Sequence, residues 1–114
     1  MNKLDRRALT QADHVLEWPT GRLDIVDFGG KQVMRLVATP DWRWTTDNRE
    51  GAGTDLCEQP HLGVVTRGRM GIRMRDGDEL EFGTGEAFAI PAGHDGWTAG
   101  DDELELIFFD PGTG

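Results

Sequence analysis

Glycine interrupts this chain at short intervals, at positions 21, 29, 30, 51, 53, 63, 68, 71, 77, 83, 85, 93, 96 and 100. Each glycine inside a helix costs about 1 kcal/mol relative to alanine. Long helices do not survive such spacing, and short strands joined by tight turns do. The residues between the glycines agree. Val15–Trp18 reads as a strand that stops at Pro19. Arg22–Phe28 and Gln32–Ala38 flank Gly29-Gly30 and read as a hairpin. Trp42-Arg43-Trp44 reads as a strand with both indoles on one face, and Thr45–Thr54 as a polar loop. Leu62–Arg67 is followed by Arg69–Arg75, where Met70, Ile72 and Met74 alternate with arginines. Asp76-Gly77 marks a turn, and Asp78–Phe82, Glu86–Ile90 and Glu103–Phe109 are further strands. Leu104, Leu106 and Phe108 share a face in the last of these. Only residues 3–12 could form a helical turn. The pattern predicts an all-β protein, a sandwich or jelly-roll barrel of short antiparallel strands.

Length and charge narrow the function classes. A chain of 114 residues has room for one core, so residues 1–114 are expected to be a single domain, with 1–12 as an N-terminal arm. The net charge of −9, from 21 acidic and 12 basic residues, argues against nucleic acid and anionic membranes as partners. No apolar run approaches the roughly 20 residues that span a bilayer. Residues 1–7 carry charge without the apolar stretch of a secretory signal. Cys57 is the single cysteine, so no internal disulfide forms, and a reducing, cytoplasmic location is expected. There is no phosphate loop and no dinucleotide fingerprint. The chain contains no serine, which excludes a serine triad.

One motif carries more information than composition. Gly85-Glu-Ala-Phe-Ala-Ile-Pro91-Ala-Gly93 is a glycine, a strand-like run and Pro-x-Gly. It resembles the second signature of the cupin superfamily. The first signature has an echo upstream: six residues separate His61 from Gly68, and Asp55 and Cys57 precede His61 at alternating positions. In the family these positions hold a glutamate and two histidines; here His61, Cys57 and Asp55 stand in their place. The short intermotif stretch, residues 69–84, is similar to that of small bacterial cupins. In the usual pattern a histidine follows the second motif glycine by three residues, where this chain has Gly96; His94 comes two residues earlier. The resemblance covers about residues 41–110 and implies a small single-domain cupin, a double-stranded β-helix barrel whose mouth holds a metal or small molecule. It also implies pairing into a homodimer.

The chemistry-bearing residues are Asp55, Cys57, His61 and His94. Asp55 and Cys57 share a face of an extended segment, and His61 joins them if the chain stays extended through Pro60. Carboxylate, thiolate and imidazole suit zinc, and the set also admits iron, nickel or manganese. Asp55, His61 and His94 alone would make a two-histidine, one-carboxylate site of ferrous type. A metal-free mouth is the other reading of the same residues. Cys57 is then a small core residue, Asp55 a loop cap, His61 the filler of a polar slot, and His94-Asp95-Gly96 a turn. Cys57 as a nucleophile with His61 as base would need a lowered thiol pKa, which the neighbouring Asp55 and Glu58 oppose. Trp44 and Trp97, with Cys57, His61 and His94, are expected to line a ligand pocket. Three functions follow as expectations: a small-molecule-binding barrel acting as a sensor or accessory protein; a metal-dependent oxygenase or isomerase using the Asp/Cys/His site; or a dimeric interaction module.

Overall fold

A computed structural model describes residues 3–110. Met1 and Asn2 of the expected arm, and residues 111–114, lie outside the described part. Nine strands form among the described residues: β1 (His14–Trp18), β2 (Gly21–Phe28), β3 (Lys31–Ala38), β4 (His61–Arg67), β5 (Arg69–Met74), β6 (Glu79–Gly83), β7 (Ala87–Ile90), β8 (His94–Ala99) and β9 (Leu104–Asp110). They make a six-stranded sheet in the order β1-β2-β3-β9-β4-β7 and a three-stranded sheet in the order β6-β5-β8. Every pairing within them is antiparallel. The β2–β3 hairpin turns on Gly29 and Gly30, with φ of 64° and 93°. That double left-handed conformation strongly favours glycine. A single 3-10 turn at Leu9–Gln11 falls inside the arm.

The two sheets face one another, and alternation decides which side chains meet. Met34 and Leu36 of β3, Leu104, Leu106 and Phe108 of β9, and Val65 of β4 point inward and are buried. Met70 and Ile72 of β5 meet them from the smaller sheet. The alternating apolar positions read from the sequence are these inward faces, and their burial is the main stabilising term.

The secondary structure differs from expectation in two places. Trp42–Trp44 is not a strand: Arg43 makes one isolated bridge to Trp97, and Trp44 opens a short helix, α1 (Trp44–Asp47), followed by α2 (Arg49–Ala52). Nor are residues 45–54 simply a loop. The carboxylate of Asp95 accepts hydrogen bonds from Thr45 N (3.0 Å), Thr45 Oγ1 (3.0 Å) and Arg43 Nε (2.8 Å). Asp47 accepts from Thr20 Oγ1 and Arg43 N. Long-range side-chain bonds from Asp95 and Thr20 thus anchor α1. Second, His94-Asp95-Gly96 is not a turn but the start of β8, paired along β5 from Met74↔His94 to Arg69↔Ala99. Asp95, buried at 6% exposure, ties this strand to α1.

Candidate metal centre

Three of the four expected ligands converge. His61 is the first residue of β4, with the same inward parity as Gly63 and Val65. His94 is the first residue of β8 and is 3% exposed. Cys57 reaches them through an isolated bridge to His94: Cys57 N donates to His94 O (2.8 Å), and Gly93 N donates to Cys57 O (2.8 Å). The ligand atoms of Cys57, His61 and His94 all lie within 4.8 Å of one another. Cys57 Sγ stands 3.7 Å from His61 Nε2. The two imidazoles meet edge to face, with centroids 5.1 Å apart and planes at 70°.

The surroundings fix both rings. His61 rests edge-on against Phe108 at 5.1 Å. His94 Nδ1 lies 2.7 Å from the carbonyl oxygen of Pro91. A carbonyl only accepts, so the neutral ring carries its proton on Nδ1 and leaves Nε2 with a free lone pair. Such an orienting bond is what metal-bound histidines ordinarily have.

Electrostatics keeps the cluster uncharged. Burial, with a smaller contribution from His94, pushes His61 down to about 4, against the opposing pull of Asp110. Burial also lowers His94, against Pro91, Asp95 and Glu58. Burial raises the Cys57 thiol, and the charge of Glu58 adds to this. Near neutral pH both imidazoles are free bases, ready to ligate, and the thiol carries the one proton that a metal would displace.

A pH dependence follows for the metal-free protein. His61 protonates near 4 when folded and near 6.5 when unfolded. Between those values the unfolded chain holds the extra proton, so acidification favours unfolding. Stability is full above about pH 6.5 and is expected to fall by about 2 kcal/mol by pH 5, before most carboxylates titrate. Urea unfolding at pH 7.5 and pH 5 measures it; equal stabilities would show that His61 is not held neutral by burial.

The cluster opens on a cavity of about 590 Å³ between the sheets. Trp18, Trp42, Trp44, Phe88 and Phe108 supply its aromatic wall. Two expected site residues stand elsewhere. Asp55 is exposed in a bend at residues 54–56 and is not among the clustered ligands. The bend breaks the alternation that would have placed it beside Cys57. Trp97 does not line the cavity. Its ring fills the space of the missing Gly71 side chain, where a Cβ would lie 2.1 Å from the indole, and Arg43 stacks on it at 4.7 Å. β8 alternates, so with His94 and Gly96 turned to the cavity, Asp95 and Trp97 face the other way. Asp110 and Gln32 do line the cavity and were not anticipated. The parity of Leu106 and Phe108, carried one step further, points to Asp110.

The donor set can be tested for fit. Zinc bonds of about 2.3 Å to sulfur and 2.0–2.1 Å to nitrogen, at tetrahedral angles, put the two donors about 3.5 Å apart. The observed 3.7 Å between Cys57 Sγ and His61 Nε2 matches that spacing. The three donors lie within 4.8 Å of one another, so one thiolate and two imidazoles could hold a tetrahedral ion, with one position left over, once the wider spacing closes by about 1 Å. The oxygen-rich coordination favoured by manganese is missing from the cluster.

No protein-family model matches the chain, and no curated protein matches it in sequence. Solved structures do match in shape. The polyketide cyclase RemF from Streptomyces resistomycificus superposes with a TM-score of 0.66 at 19% identity, covering 96% of this chain and 80% of that one. A cupin-like protein from Thermotoga maritima gives 0.57 at 19% identity, over 80% of this chain and 68% of that one. A cupin-2 domain protein from Shewanella frigidimarina gives 0.52 at 15% identity, over 84% and 83%. At such identities the likeness establishes the fold.

Proposed function

We propose that this chain, which has the cupin fold, is a small-molecule-binding barrel built around one transition-metal ion, with zinc the best-suited candidate. The observation that carries the reading is the convergence of Cys57, His61 and His94 at the wall of the cavity. Both imidazoles are held neutral by burial, His94 fully and His61 partly enclosed, so neither needs to lose a proton to ligate near neutral pH. The rings are oriented by Phe108 and by the Pro91 carbonyl, so little ordering remains when an ion arrives.

Cys57, His61 and His94 would hold the ion, and the ion would act as a Lewis acid toward an oxygen of the bound molecule. The cavity wall orients that molecule and excludes water. Three protein ligands, not four, is the pattern of sites that keep a position for substrate. That count favours, as a second reading, turnover of the bound molecule, of isomerase type. A two-histidine, one-carboxylate ferrous site would need Asp55, which lies outside the cluster.

Metal analysis of protein purified without affinity tag or chelator tests the proposal. Near one equivalent of metal is expected in the wild type, and far less in His61→Ala. Protein that is empty and also refuses added zinc, iron and nickel would contradict it.

A further inference from the structure

We infer that the cavity, before any metal is bound, selects an uncharged aromatic molecule carrying an acceptor oxygen, and discriminates against carboxylates and phosphates. The inference deepens the small-molecule reading above and rests on it.

Charge is the first argument. Among the described residues lining the cavity there is no lysine or arginine. Its charged lining is acidic, from Glu17, Asp47 and Asp110. Three nearby arginines are committed elsewhere: Arg22 and Arg35 to the buried Asp24, at 2.7 and 3.0 Å, and Arg43 to Asp95. In the metal-free protein a carboxylate entering this space would lose its hydration and meet no lysine or arginine on the wall. An anion-binding cavity is normally furnished with arginine, lysine or a helix end for that purpose. A neutral hydroxyl or carbonyl loses far less.

Shape and surface are the second argument. His61 packs on Phe108, which pairs with Met34. At the other end Trp18 pairs with Gly21, which pairs with Ala38. Met34 and Ala38 are four residues apart on β3, about 13 Å at the rise of a strand. The space between is walled by flat rings and methionines, which suit the faces and edges of an aromatic ligand. Trp18 Nε1 is buried without a hydrogen-bond partner among the described residues. It is a donor awaiting an acceptor, and a neutral oxygen answers it while leaving no charge behind.

Calorimetric titration of the metal-free wild type at neutral pH with 2-naphthol and 2-naphthoate tests the inference. The two compounds share a ring system and differ in the charge of one group. Naphthol is expected to bind one to one, and naphthoate at least tenfold more weakly. In Gln32→Lys, which places a cation on the cavity wall opposite Asp110, the gap is expected to narrow severalfold. Equal or tighter binding of naphthoate by the wild type would overturn the inference. So would a failure of both compounds to bind to protein that still takes up zinc, and that result would leave the metal centre standing. Naphthol binding by protein that refuses zinc would do the reverse, supporting the ligand class and removing the metal.

Discussion

Replacing His94 with alanine is expected to weaken zinc binding by at least about 100-fold, because loss of a mere outer-shell partner already costs ~10–100-fold. The imidazole is 3% exposed and its Nδ1 is tied to Pro91 O, so no other orientation competes with presenting Nε2 to the cluster. Cys57→Ser should act in the same direction, since a hydroxyl is a poor replacement for a thiolate on zinc. Asp55→Ala should leave the affinity within about threefold of wild type, because Asp55 lies outside the cluster. Competition titration against a chromophoric zinc chelator measures all three. An Asp55→Ala protein as damaged as His94→Ala would show that the segment before Cys57 folds back on the metal in a way the apoprotein does not reveal.

Phe108→Ala carries the largest expected loss of stability. The ring is 7% exposed in the core between the sheets, and truncating a buried phenylalanine costs about 3–5 kcal/mol. A domain of this size has roughly 5–15 kcal/mol in total, so about a fifth or more would go. The change should also reach the Cys57, His61 and His94 cluster, since His61 loses the ring it stands against at 5.1 Å. Phe108→Leu keeps most of the volume and should cost about 1 kcal/mol. Urea unfolding followed by tryptophan fluorescence separates the two variants. Equal and small losses would mean that β9 does not pack where the structure places it.

The sequence announced the fold through features that are local. Alternation in residues 69–75 and 103–109 placed the inward faces, and Gly29-Gly30 and Asp76-Gly77 placed the turns. The segments it misread are held by contacts distant in sequence. Thr45 N and Arg43 are bonded by Asp95, and nothing in residues 45–54 signals that a carboxylate fifty positions away will anchor α1. The strand His94–Ala99 was hidden because its inward positions are a histidine, a glycine and a threonine rather than aliphatic residues.

The site was legible in part for the same reason. His94 sits two residues before the position at which the family pattern has its histidine. A two-residue offset preserves the face of a strand, so the imidazole still looks into the cavity beside Gly96. Cys57 and His61 kept the expected side, whereas the bend at residues 54–56 removed Asp55. Trp97 shows the limit of residue type as a guide. An indole was expected in the pocket, but it follows His94 by three residues and therefore takes the opposite face, over Gly71.

X-ray absorption at the zinc edge, on protein loaded with one equivalent of zinc, tests the metal centre most directly. One sulfur at about 2.3 Å and nitrogen or oxygen neighbours at about 2.0–2.1 Å, four in all, are expected. The sulfur shell should vanish in Cys57→Ser. A shell of oxygen and nitrogen alone in the wild type, or zinc that washes away before measurement, would contradict a centre made by Cys57, His61 and His94.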